Sequence, residues 1–276
     1  MIAVNYRVLL PAAAFVLCGA TTPLRAQTDA AHSSPPTPQK VAAAEESAKP
    51  PRRFFSALVH NLGDDVKHIP RRNSLYWLAA GSAATAAIHP ADDYINEHLA
   101  GSGFAESFFK PGKFIGSFPV IFGASLTTYF VGRRRHIGWL QHFGMDLVEA
   151  TLLSEGITQG IKAAVRRDRP LHADGTRNSG FSFPSGHASV TFAAATVFQQ
   201  HFGWKAAVPT YLVASYVAMS RLHDERHFAS DVMAGATEGI IIGRSVTWHG
   251  RNFYASPMLG PKAAGVIVAL NTAPRH

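Results

Sequence analysis

Residues 184–195 read PSGHASVTFAAA, a proline turn that opens an apolar run. Pro184, Ser185 and Gly186 punctuate the chain, and the residues after them suit a helix. Free backbone amides therefore collect at a helix N-terminus, a ready cradle for an anion. His187 projects from the first turn of that helix. Working outward, Lys162–Pro170 upstream reads KAAVRRDRP and Ser220–Asp231 downstream reads SRLHDERHFASD. Lys162 and Arg169 are close to two helical turns apart, so a helix with an extended Arg-Pro exit can aim both cations at one point. Arg221 adds a bidentate phosphate donor, while His227 and Asp231 share one helical face, where the carboxylate can fix the imidazole tautomer. Phosphoryl transfer needs cations and amides on the phosphate oxygens, a nucleophile and an acid for the leaving group. All are present. Taken singly, each cluster has a plain alternative: a solvated basic turn, a capped proline turn and a surface His/Asp pair.

The conjunction is more specific than its parts. The order K-x6-RP, then PSGH, then SR-x5-H-x3-D resembles the phosphatidic acid phosphatase type 2 and vanadium haloperoxidase superfamily, which includes lipid phosphatases and bacterial class A acid phosphatases. Every fixed position is matched between about Leu147 and Gly243. The resemblance implies that His227 is the nucleophile forming a phosphohistidine and that Asp231 orients it. It implies that His187 protonates the leaving alkoxide and later deprotonates water. Lys162, Arg169, Ser185, Gly186 and Arg221 would bind the phosphoryl oxygens. No metal or other cofactor is implied, with vanadate expected as an inhibitor, or as the cofactor if the chain is a haloperoxidase. His223 and His227 in HDERH imitate a zinc-protease helix, but Asp224 stands where that motif has Glu and no third ligand follows at a suitable spacing. His223, Asp224 and Glu225 are expected to form a solvated gap, and Phe181 and Phe183 to be packing residues.

The chain has 276 residues, 47% of them hydrophobic, and a formal net charge of +8. That suffices for one core-bearing domain with appendages. The excess cations fall in the phosphate motifs and short Arg runs; no nucleic-acid motif or stacking pattern stands out, so no nucleic-acid partner is expected. Arg7, the apolar run Val8–Ala20 and Leu24-Arg25-Ala26 before Gln27 read as a signal peptide over residues 1–26. Export to the periplasm or cell envelope is the consequence. The single cysteine, Cys18, lies within that run, leaving no disulfide in the rest. Residues 27–53, rich in Pro, Ala and Ser, read as a spacer.

Beyond the spacer, helical patterns cover Ser74–Ile88, Phe114–Val131, Ile137–Val165, Ala188–His201, Ala206–Met219 and Ser230–Val246. The expected fold is all-α, a six-helix bundle over 54–250, with a C-terminal tail at 251–276 that reads as a short strand, a hairpin or a loose strap. Soluble and membrane-spanning forms both occur in the superfamily. The charge-free stretch Phe114–Gly132 and the alternation of basic with acidic connections favour a membrane, with the motifs outside. Asp146, Glu149 and Glu155 inside the third helix, and a mean hydropathy of +0.03, speak against it. A cleaved signal peptide and the charge pattern imply opposite entries, and a periplasmic or envelope-associated bundle is the expectation. Three functions follow: a metal-independent phosphatase on lipid phosphates or small phosphomonoesters, a vanadium haloperoxidase, and a phospholipid-binding protein without turnover. Phosphatidic acid, isoprenyl pyrophosphate and lipid A phosphates are the lipid candidates.

Overall fold

The computed structural model describes residues 54–99, 103–172, 174–247, 254–260 and 263–269; the expected signal peptide and spacer lie outside them. All six expected segments are helical, although Phe114–Val131 is not one continuous helix. In chain order α1 is Phe54–His68, α2 Arg72–Ile88, α3 Asp92–Leu99, α4 Gly103–Ile115, α5 Phe118–Arg134, α6 Gly138–Val165, α7 Gly186–Phe202, α8 Trp204–His223 and α9 Ala229–Val246. A 3-10 turn, His89–Ala91, joins α2 to α3. Beyond α9, Tyr254–Gly260 (β1) and Ala263–Ala269 (β2) pair antiparallel, with Gly260 opposite Ala263.

The bundle thus exceeds the expected six helices, adding α1, α3 and α4. Each has a sequence that blurs the helical signal. In α1, Gly63 and the Asp64-Asp65 pair interrupt the apolar stripe; α3 is only eight residues long; α4 contains Pro111. A second correction concerns Phe114–Gly132, which is not one straight helix. Ser117 is extended (φ −74°, ψ 141°) and Pro119 sits in the first turn of α5, so the chain bends by 50° between α4 and α5. Among the described residues no single helix is long and apolar enough to cross a membrane, although the bent α4–α5 pair has the length and composition.

The core lies where α6, α7 and α9 meet. Phe143, Leu147 and Ala150 from α6 pack with Ala193 and Val197 from α7 and with Ile242 and Val246 from α9. A second cluster joins Leu58 of α1 and Tyr129 of α5 to Met145 and Val148 of α6. Burial of each large aliphatic side chain contributes about 1.5–3 kcal/mol. The α7–α9 contact requires glycine. A Cβ at Gly239 would stand 2.2 Å from Ser189 O, and one at Gly235 would stand 2.4 Å from Ser185 O. The second motif opens the first of these helices and Asp231 of the third lies in the first turn of the other, and their backbones touch.

Candidate active site

Local chain geometry gathers the three motifs at one end of α7. Lys162 lies in the last turn of α6, which stops at Arg166 in the left-handed conformation (φ 53°). The chain then leaves extended through Arg169-Pro170, as the Arg-Pro step dictates. Ser182 ties that exit to the next segment: its N–H donates to Arg167 O at 2.8 Å and its hydroxyl to Asp168 O at 2.8 Å. Ser185 then starts α7 with its N–H donating to Asp231 O at 2.9 Å. Arg221 lies in the last turn of α8, and Asp231 in the first turn of α9, where its carboxylate accepts the Phe228 N–H at 2.9 Å. An acidic side chain there satisfies a free amide and suits the helix dipole.

All eight expected site residues fall in this region. His187, His227, Lys162, Arg169 and Arg221 lie within electrostatic reach of one another. Burial pushes Lys162 down to about 8, with Arg169 adding to the fall. Burial also lowers Arg169, assisted by Arg226, and lowers Arg221 against the opposing pull of Asp224. Mutual repulsion among desolvated cations marks a place prepared for an anion. Ser185 Oγ is buried there and has no hydrogen-bond partner among the described residues. Gly186 follows it as the first residue of α7.

The two histidines differ in their surroundings. His227 is 4% exposed, and burial lowers its pKa to about 4 in spite of Asp231. His227 Nδ1 is 2.7 Å from Ser182 O. A carbonyl only accepts, so Nδ1 carries the proton and Nε2 keeps a free lone pair. This corrects the expected role of Asp231. Its Oδ2 is 3.8 Å from His227 Nδ1, beyond hydrogen-bond length, so it acts on the ring through charge while the Ser182 carbonyl sets the tautomer. His187 is brought to about 4 by burial and by Arg221, and its Nε2 is 3.1 Å from Lys113 O of α4. The cations are also tied at rest. Lys162 Nζ donates to Phe181 O at 2.8 Å, Arg169 Nε to Gly180 O at 3.2 Å, and Arg221 Nη2 to Asp224 Oδ2 at 2.7 Å.

Sequence reasoning missed the support behind Asp231. Arg167, the Arg between two motif positions, donates from Nη1 to Asp231 Oδ1 and from Nη2 to Asp92 Oδ2, both at 2.8 Å. Asp92 also accepts the Ser230 N–H at 2.9 Å and faces His89 Nδ1 at 2.9 Å. Burial works to raise the Asp92 pKa, yet bonds from Ser230, Arg167 and His89 hold it below the ordinary carboxylate value. The signal available was Asp92 in ADDYINEH, residues 91–98, an acidic stretch that counted above only toward the alternation of basic and acidic connections. The HDERH gap differs as well. His223 is buried and its ring lies 5.3 Å from that of Phe109, so this residue is packed instead of solvated. Phe181 is partly exposed, while Phe183 lines a cavity of about 740 Å³ enclosed by α2, α6 and α9.

Residues 143–254 match the family model described as PAP2 superfamily. The lipid A 1-phosphatase of Porphyromonas gingivalis is 29% identical over 76% of this chain and 48% of its own. The lipid A 4'-phosphatase of Helicobacter pylori is 32% identical over 33% of this chain and 49% of its own. The decaprenylphosphoryl-5-phosphoribose phosphatase of Mycolicibacterium smegmatis is 44% identical over 27% of this chain and 42% of its own. The chain therefore spans less than half the length of each of these relatives. The three motifs gathered at one end of α7 all fall within the residues that match the PAP2 superfamily model.

Proposed function

We propose that the protein is a metal-independent phosphatase that hydrolyses lipid phosphates through a phosphohistidine on His227. One observation carries the reading: a neutral imidazole with Nδ1 committed to Ser182 O stands among buried cations that repel one another. An arriving phosphate monoester relieves that repulsion when Lys162, Arg169, Arg221, the Ser185 hydroxyl and the amides at Ser185 and Gly186 take its oxygens. His227 Nε2 attacks phosphorus; the P–N bond forms as the P–O bond to the lipid breaks. His187 gives its proton to the departing alkoxide. Bound phosphate cancels part of the positive field from Arg221, so the proton affinity of His187 rises as substrate arrives. In the second half His187 takes a proton from water, which cleaves the P–N bond and releases inorganic phosphate.

Three features support a lipid over a small phosphomonoester. The named relatives include phosphatases of lipid A and of a decaprenylphosphoryl compound. The apolar cavity lined by Leu75, Leu78, Ile157 and Ile161 reaches Phe183, Pro184 and Arg167 beside the site. On α8, Trp204, Val208 and Leu212 form an exposed apolar stripe at one-turn spacing. Together with the signal-like N-terminal segment, these support an envelope location in contact with lipid. The test is phosphate release from phosphatidic acid in detergent and from p-nitrophenyl phosphate, with chelator, vanadate and His227→Gln. Chelator-resistant, vanadate-inhibited, His227-dependent release with preference for the lipid is expected. Equal turnover by His227→Gln sinks the mechanism, preference for the small ester sinks the substrate class, and vanadate-dependent bromide oxidation by peroxide would identify a haloperoxidase.

A further inference from the structure

A second cluster of chemistry lies at the far end of α7. His142 and Asp146 stand one turn apart on α6, and His201 meets them from the last turn of α7. Asp146 Oδ2 is 2.8 Å from His201 Nε2 and 3.8 Å from His142 Nε2, and one ligand atom from each residue lies within 4.8 Å of the others. The side chains of Asp146 and His201 are nearly buried, whereas that of His142 is 32% exposed and gives the group a path to solvent. Neighbouring rings hold the imidazoles: His201 lies 5.1 Å from Phe143 and 6.0 Å from Phe202, and 5.4 Å from His142 itself.

Two imidazoles and one carboxylate form a nitrogen/oxygen ligand set suited to a first-row divalent ion. Around tetrahedral zinc, ligand atoms at about 2.1 Å from the ion stand roughly 3.4 Å apart. Closing the widest separation and opening the shortest asks only for small side-chain adjustments. We propose that His142, Asp146 and His201 bind one divalent transition ion, with Zn²⁺ preferred, which staples the start of α6 to the end of α7. Water or another donor completes the fourth position. His187 is about 20 Å away along the same helix at 1.5 Å per residue, so this ion is structural and takes no part in phosphate chemistry. The proposal stands whether or not the protein turns over phosphate esters.

The full chain, purified without a polyhistidine tag and stripped by chelator, would be titrated with Zn²⁺ and separately with Co²⁺. One Zn²⁺ retained per chain by elemental mass spectrometry is expected, with melting raised by about 5 °C at saturating Zn²⁺. Co²⁺ should give the intense visible absorption of a tetrahedral site. His142→Asn, at the partly exposed position, should weaken retention at least tenfold while folding normally, and His201→Asn should abolish it. No Zn²⁺ retained by the wild-type chain overturns the proposal. So does retention unchanged in both variants, which would place the ion on other residues. The Co²⁺ spectrum of the wild-type chain decides the matter if a variant fails to fold.

Discussion

The two ends of α7 carry buried polar groups of opposite sign. At the N-terminal end, Lys162, Arg169 and Arg221 surround His187 and His227, where cations are crowded beyond what the local carboxylates neutralise. At the C-terminal end, Asp146 meets His142 and His201, and burial together with the nearby Asp146 raises the carboxyls of Asp65 and Glu149. The difference teaches that burying charge is useful only where something of opposite sign is to arrive. Under the two proposals above, one end receives an anion and the other a cation, and an apolar core lies between them.

The contrast can be broken most decisively at the anion end. His227→Gln should lower kcat/KM for phosphatidic acid by at least about a thousandfold with melting little changed, because it removes the proposed nucleophile and not the packing. Loss below tenfold in a phosphate-release assay would remove His227 from the chemistry. Arg167→Ala should cost about 3 kcal/mol of stability, read by chemical denaturation, since Asp92 and Asp231 would lose their shared cation while still buried. Lys162→Met should reduce kcat/KM about 10- to 100-fold, measured on the same ester. At the other end, Asn61→Leu should cost about 1–2 kcal/mol by removing the amide that donates to Glu149 Oε1 at 2.8 Å, and leave turnover unaltered. An equal loss of turnover and stability there would show that the two ends are coupled.

Acidification sharpens the same comparison. His187 and His227 are both lowered from 6.5 to about 4, so below pH 6.5 the unfolded chain takes up these protons more readily than the folded one. Their contribution to stability is complete above pH 6.5 and declines as pH falls toward 4. In the free protein His227, the proposed nucleophile, stays mostly neutral down to about pH 5. kcat/KM should hold to about pH 5 and fall near 4, as a pH–rate profile on p-nitrophenyl phosphate would show; a fall already at pH 6.5 would mean an ordinary, solvated histidine.

What could be read from the sequence follows physical range. PSGH, K-x6-RP and the spacing of His227 to Asp231 are local patterns that meet at one end of α7, and helical periodicity, also local, marked the principal helices. Arg167 was beyond reach because its partners Asp92 and Asp231 come from distant segments that meet only after α9 packs. The partner that fixes the His227 tautomer was misassigned for a related reason. A carboxylate four residues away is visible in sequence, whereas a backbone carbonyl offered by Ser182 is not. Helices α1 and α4 were hidden by Gly63 and Pro111, whose local cost tertiary contacts outweigh. Likewise His142, Asp146 and His201 are scattered over two helices, and only the fold joins them.

The backbone contact at Gly235 and Gly239 makes α7 and α9 a single stiff plate. Ser185, Gly186, His187 and Asp231 all ride on that plate, so their mutual distances cannot adjust to a new substrate. Accommodation can come from the cavity walls on α2 and α6 and from α4, which meets the site through the Lys113 carbonyl against His187. Altered substrate preference should therefore be sought in changes along those walls and residues 103–117, and changes at the plate should yield loss of activity without a new preference.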